Sequence, residues 1–293
     1  SPFAVTPRYF QVLETPRGRG SGTAWRKLTT AQAHELSAAT GILQHCYWRD
    51  VPLPILSPEA VIRHWRPEDE FQNVLARDIS LQRLLALLDD WLTGPANAEQ
   101  PSVGITGSRL IGASNPNSDA DIVVYGVDQM LLLREWVRES LACGDIRALD
   151  EEQWRATFAR RGTSLEFDEY LWHERRKYNK FTADRMRVDV SCVAQPPASW
   201  KQVGQKLALI QASALVVDAS QAFATPAEYS VEHERFSKVV AYTATFVGQA
   251  TAGERIEVQG WLEQLADGTR QVVVGTSREA CGEWIRVIDA DAT

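Results

Sequence analysis

The clearest helical period in the chain runs from Asp78 to Thr93. There Leu81, Leu84, Leu85, Leu88 and Leu92 recur at helical spacing, behind a capping aspartate and ahead of Gly94-Pro95. The period then shortens. Ser102-Val103-Gly104-Ile105-Thr106 is a short β-branched run bounded by Pro101 and Gly107, which predicts a buried strand, and Ile122-Val123-Val124-Tyr125 predicts a second. Helical spacing returns over 128–142, with Met130, Leu131, Leu133, Trp136, Val137 and Leu141 apolar, and two further helices are predicted over 150–160 and 164–178. A strand over 187–193 follows the turn-like Phe181-Thr182-Ala183-Asp184.

Past Pro196-Pro197 the pattern changes again. Residues 203–217 suit a helix; after them come strand-like runs at 239–247, 255–262, 270–275 and 284–288, with Asp267-Gly268 as a hairpin signal between the second and third. The first seventy residues are less regular. Residues 7–13 are strand-like, Thr30 opens a short helix, and Ser57-Pro58-Glu59 has the N-cap and first-turn proline of another. The organisation expected is therefore an α+β extension over 1–74, an α/β core over 75–197 with a mixed sheet and flanking helices, and a mainly-β domain over 198–293, a small antiparallel barrel or sandwich.

Within the core two acids stand out. Asp119 and Asp121 are two apart at the start of an otherwise apolar strand, so both side chains leave the same face, about 7 Å apart at Cα. Carboxylates at that distance can share a pair of divalent ions about 3.5–4 Å apart. Hard oxygen donors select Mg²⁺ or Mn²⁺ over zinc. The turn Gly107-Ser108-Arg109 just upstream offers a backbone free of Cβ, a hydroxyl and N–H groups at the start of a helix, all suited to phosphate.

This arrangement resembles the nucleotidyltransferase superfamily that includes DNA polymerase beta, the CCA-adding enzymes, the poly(A) polymerases and the minimal nucleotidyltransferases. Its members carry a Gly-Ser turn, a short gap and Asp-h-Asp or Asp-h-Glu, with h apolar; Gly107-Ser108 and Asp119-Ala120-Asp121 occupy those slots here. A third family carboxylate on a later strand matches Asp189 in Arg185-Met186-Arg187-Val188-Asp189-Val190-Ser191. The resemblance covers about residues 75–195. The flanking segments also look like larger, archaeal-type proteins in which such a core sits between an N-terminal extension and a C-terminal β-domain.

The resemblance implies a nucleotidyltransferase-type mixed sheet, with Asp119, Asp121 and Asp189 as catalytic ligands of two metals and Gly107, Ser108 and Arg109 binding nucleotide. The activity implied is transfer of a nucleoside monophosphate from an NTP or dNTP to a hydroxyl, with a DNA or RNA 3′ end as one acceptor. A non-catalytic nucleotide or DNA binder on the same fold, or a metal-dependent phosphodiesterase or nuclease, uses the same residues and stays open.

Charge bears on the acceptor. The net charge of −7 argues against a protein coated by nucleic acid over its whole surface. Basic residues nevertheless concentrate in two segments, nine against five acids over 155–187 and five against one over 1–27. In the run His173 to Lys180, Arg176 and Lys180 are the candidates for triphosphate or acceptor backbone. The loop at 16–22, rich in glycine and arginine, is a second candidate for phosphate. Four scattered cysteines without metal spacing, no apolar run near the roughly 18 residues of a membrane span and no visible secretory leader point to a reducing cytoplasm.

Overall fold

A computed structural model describes residues 3–12, 24–46, 50–93, 102–115, 117–194, 204–277 and 279–289. The loop at 16–22 and the Gly94-Pro95 stop lie outside these residues. The N-terminal part comprises β1 (Phe3–Ala4), β2 (Tyr9–Val12), β3 (Ala24–Lys27), α1 (Thr30–Ala39), β4 (Leu43–Cys46) and β5 (Val51–Leu56). β2 and β3 form an antiparallel hairpin of their own, with Tyr9 opposite Lys27, while β1, β5 and β4 form a separate small sheet. The expected helix at Ser57-Pro58-Glu59 is a single 3-10 turn, Pro58–Ala60.

The core is built on α2 (Pro67–Arg77), α3 (Ile79–Leu87), α4 (Asp89–Thr93), β6 (Val103–Thr106), α5 (Gly107–Leu110), β7 (Ala120–Tyr125), α6 (Val127–Cys143), α7 (Glu151–Arg161), α8 (Phe167–Arg175), β8 (Lys180–Ala183) and β9 (Met186–Val193). Asp78 caps α3 through the Leu81 N–H, and the leucine-rich period continues through α4 with a break at Leu88. α2 was not legible as a helix, yet it packs on β6 so closely that a Cβ on Gly104 would meet Pro67 Cβ at 2.7 Å. The four strands lie in the order β6-β7-β9-β8, with β7 and β9 parallel and both outer pairs antiparallel. β8 turns into β9 through Asp184 and Arg185, both at positive φ, as a two-residue hairpin of primed type requires. Ile105, Ile122, Val124, Val188, Val190 and Cys192 face one side and join Met130, Leu133 and Val137 of α6 in the core. Alternation sends Asp121 and Asp189 to the other side.

The C-terminal part is all β: β10 (Gln205–Asp218), β11 (Ala227–Glu232), β12 (Lys238–Ala241), β13 (Arg255–Gln264), β14 (Arg270–Val274) and β15 (Trp284–Asp289). The helix expected over 203–217 is instead the long strand β10. Its alanines, glutamines and leucines suit either period, and antiparallel pairing with β13 from Gln205 to Leu215 decides it. The order β10-β11-β12-β14-β13 closes through that pairing, with β12 and β14 parallel, into a five-stranded Greek-key barrel; β15 lies along the first half of β13. Asp267-Gly268 forms the β13–β14 turn, with Gly268 at φ +85° and the Leu265 N–H donating to Thr269 O at 2.8 Å.

Core and barrel meet through the basic run. The Lys177 ammonium, 1% exposed, donates to Glu174 Oε1 at 2.6 Å and to the Thr245 carbonyl of the barrel at 2.7 Å. His173 Nδ1 lies 3.2 Å from the Gln249 carbonyl, and its Nε2 accepts from the Val287 N–H at 3.4 Å, which assigns the proton to Nδ1. Burial first, then the charges of Lys177 and Arg176, push the His173 pKa down from 6.5 to about 3. Because the folded value lies below the unfolded one, the native state resists a proton that the unfolded chain accepts. The associated stability is complete above about pH 6.5 and is lost as pH falls toward 3, at up to roughly 1.4 kcal/mol per pH unit. Denaturant titrations from pH 7 to pH 4 should show that slope, and His173→Asn should flatten it.

Candidate active site

The sheet register sets the site. Thr106, Asp121, Asp189 and Lys180 are consecutive partners across β6, β7, β9 and β8, so they form one row on the face away from the core. Asp119 stands one alternation before Asp121, just outside the strand. The sequence places Asp119 and Asp121 together; the parallel pairing of β7 with β9 adds Asp189 beside them. Asp121 feels this crowding. Its carboxyl is raised above the ordinary aspartate value, by burial first and then by the charges of Asp189 and Asp119.

Gly107 opens α5 at φ +68°, a backbone conformation that disfavours every other residue. A Cβ there would overlap Asp121 Oδ2. The glycine thus lets the turn lie directly against the acid, which explains its place in the motif. Gly107→Ala should cost about 1–2 kcal/mol in backbone strain alone and displace the Asp121 carboxylate. A chemical melt should show the loss, and retention of wild-type stability would contradict the conformation described.

Arg109 has a different task from the phosphate contact expected. It is buried, pairs with Asp78, and donates to the carbonyls of Asp119 at 3.1 Å and Ser118 at 2.8 Å. These contacts tie the loop between α5 and β7 to Asp78 at the start of α3, so Arg109 fixes the approach of Asp119. α5 itself has four residues, too few for an appreciable macrodipole. Any phosphate contact there rests on individual N–H groups and the Ser108 hydroxyl.

Arg176 and Lys180 are likewise engaged within the protein rather than free for phosphate. The Lys180 backbone is in register with Asp189, but its ammonium, 9% exposed as a residue, donates to Glu174 Oε2 at 2.5 Å. Arg176 pairs with Glu254 of the barrel and lies over the Trp172 ring at 4.4 Å. Arg176 and Lys177, just past α8, are taken up by the seam between the two parts, and Lys180 at the start of β8 is taken up by Glu174. Arg175 alone among those cations is exposed.

The sequence leaves Arg185 or Arg187 as an ion-pair partner for Asp189, and the structure places Arg187 in that role. Arg187 donates twice to Asp189, from Nε at 2.9 Å and from a terminal nitrogen at 2.8 Å, and its Nε stands 4.0 Å from Asp119 Oδ2. Its other terminal nitrogen donates to Thr157 Oγ1 at 2.8 Å, which ties the pair to α7. Burial opposes its charge, but Asp189 and then Asp119 outweigh burial and raise its pKa. Burial first, opposed by the charge of Arg8 and joined by that of Asp121, raises the Tyr9 phenol above its ordinary value. The alternation of Arg185, Arg187 and Asp189 puts Arg187 on the Asp189 face; nothing in the sequence signals Thr157.

Among the described residues no group of three or more His, Cys, Asp or Glu side chains stands arranged to hold a metal ion. The donor chemistry nevertheless suits a hard divalent cation: Asp121 and Asp189 are direct partners across β7 and β9, Asp119 stands one alternation before Asp121, burial and then the other two acids raise the Asp121 carboxyl, and Asp189 keeps two of its lone-pair sites when Arg187 takes two.

The chain is 31% identical over 199 residues to an uncharacterized protein of Methanocaldococcus jannaschii, an alignment covering 64% of this chain and 58% of that protein. The chain thus spans less than two thirds of the length of the relative it matches. No family model matches the chain, and no solved structure matches it. Among the described residues no helix is long and apolar enough to cross a membrane.

Proposed function

We propose that the protein is a metal-dependent nucleotidyltransferase that moves a nucleoside monophosphate from a triphosphate to a hydroxyl and releases pyrophosphate. The observation that carries this reading is the row in which Asp121 and Asp189 are direct partners on parallel strands, with Asp119 beside them and the Gly107-Ser108 turn lying against Asp121. The Arg187 pair accounts for Asp189 structurally, but a half-buried Asp121 with a raised carboxyl, next to it on the same sheet face, carries an electrostatic cost that a packing role does not explain.

Asp119, Asp121 and Asp189 would hold Mg²⁺ or Mn²⁺, which supplies Lewis-acid charge on the phosphate oxygens and on the attacking hydroxyl. Arg187 keeps Asp189 in one rotamer through its paired hydrogen bonds, and Thr157 keeps Arg187 in place. Gly107 admits the phosphate chain close to backbone N–H groups, and the Ser108 hydroxyl is a further donor. Arg109 holds the Ser118-Asp119 carbonyls, so that the first acid approaches at a fixed angle. Because Arg176, Lys177 and Lys180 are paired within the protein, no long cationic track for a polymer acceptor follows from this run. The acceptor is therefore proposed only as a hydroxyl.

Ligand-induced stabilisation tests the nucleotide half. A nonhydrolysable nucleoside triphosphate with Mg²⁺ should raise the melting temperature, by about 2.7 kcal/mol of added stability at a hundredfold excess over Kd. The monophosphate should do much less. Equal and negligible shifts for both would remove the nucleotide from the account.

A further inference from the structure

β10 outruns its partner on one side. Its 14 residues pair with β13 from Gln205 to Leu215, whereas β11 takes the opposite edge only from Leu215 to Asp218. Among the described residues no strand pairs with that opposite edge over 205–214. A row of backbone N–H and C=O groups left this way is a template for another strand. Gln205, Ala208, Gln211 and Ser213 are exposed, and so are two large apolar side chains, Leu207 at 45% and Leu209 at 50%.

Chains usually guard such an edge with a free lysine, a proline or an inward-pointing charge. Residues 205–214 contain no proline and no acid. Their one cation is spent: Lys206 Nζ donates to the Asp50 carbonyl at 2.6 Å and lies 5.3 Å from the centre of the Trp261 ring. A bulge between Lys206 and Ala208 lies near the start of the stretch and leaves the rest in regular register. Leu209 stands opposite Trp261 on the outer face of the β10–β13 pair, with Gln211 opposite Gln259 and Ser213 opposite Glu257. Glu257 is held by Arg286, whose Nε donates to it at 2.6 Å. The strip therefore offers backbone groups and apolar side chains, with no unpaired charge to select an acidic or a basic partner.

We propose that this edge joins a second copy of the chain, β10 against β10 in antiparallel register about a two-fold axis near Leu209. Such a pairing is isologous and closes at two copies. It sets Leu209 opposite its own mate and Leu207 opposite Gln211. Lys206 lies three residues from the axis, so the two lysines stand about 20 Å apart at roughly 3.4 Å per residue. That exceeds the ~8 Å over which exposed charges act at physiological salt. The contact thus brings no like charges together, although each chain carries −7 overall. It is independent of the transferase reading above.

The test is sedimentation equilibrium of the full chain from dilute to concentrated solution, with amide hydrogen exchange at both extremes. The wild type should pass from monomer to dimer, with added salt leaving the association unchanged or stronger, and amides within 205–213 should gain protection in the dimer. Leu209→Lys sets like charges directly opposite each other and should weaken association by about tenfold or more. Leu209→Glu should do the same, and an equal mixture of the two variants should associate again. Val217→Lys, at a residue 52% exposed in the part of β10 that β11 covers, should dimerise as wild type. Melting curves of dilute samples show whether each variant folds; if the Leu209 variants do not, protection of 205–213 in the wild type decides alone. A wild type that is monomeric throughout, a dimer whose 205–213 amides gain no protection, or a dimer that both folded Leu209 variants leave intact would overturn the inference.

Discussion

Asp121→Asn is expected to melt above the wild type at neutral pH in the absence of divalent ions, and to lose about a thousandfold in turnover, the scale seen when one electrostatic stabiliser of a transition state is removed. The two effects have one cause. Burial, then Asp189 and Asp119, raise the Asp121 pKa above the ordinary aspartate value. A carboxyl whose folded value exceeds its unfolded value contributes full stability at low pH, and that contribution is lost as pH rises through the folded value. At pH 7 the ionised carboxylate therefore strains the native state, and the neutral, isosteric amide relieves it. Wild-type protein should recover stability when Mg²⁺ or Mn²⁺ is added, whereas the variant should recover less. A variant that melts below the wild type, or turns over normally, would show that Asp121 is an ordinary structural acid.

Glu174→Gln is expected to destabilise the fold by about 3–5 kcal/mol, the usual consequence of breaking a buried ion pair from one side. Glu174 is 2% exposed and accepts from both Lys177 and Lys180. Although burial pushes its pKa up, the two ammoniums outweigh burial and hold it well below the carboxylate range. Lys177 is pushed down to about 8 by burial, even with Glu174 in place, so losing that partner leaves an ammonium with one carbonyl and no counter-charge. Because Lys177 also binds the barrel, the loss should appear as separated unfolding transitions or as one transition at lower denaturant. Lys180→Met, which leaves the Glu174–Lys177 pair intact, should cost less. Equal stability of Glu174→Gln and wild type would contradict the seam as described.

The parts legible in the sequence are those governed by local rules. Asp78 as a cap, the leucine period behind it, the β7 acids on one strand face and the Asp267-Gly268 turn all follow from spacing within a few residues. What escaped depends on partners far along the chain. β10 has a composition that fits helix or strand, and its ten paired positions with β13 settle the matter. Arg176, Lys177 and Lys180 look like an anion-binding run until Glu174, Glu254 and the Thr245 carbonyl are seen to occupy them. Arg109 looks exposed beside a phosphate turn, yet the carbonyls at Ser118 and Asp119 and the carboxylate of Asp78 surround it. At the site, the acids were readable because alternation within one strand fixes their face.

The most direct test of the account is release of pyrophosphate by the purified protein, measured with each of the common NTPs and dNTPs plus Mg²⁺ or Mn²⁺, with DNA, RNA or no added acceptor. The expected result is metal-dependent pyrophosphate release matched by label transferred from the α-phosphate, abolished by EDTA and by Asp121→Asn. No release from any triphosphate under any of these conditions, from protein shown to be folded, would contradict the assignment.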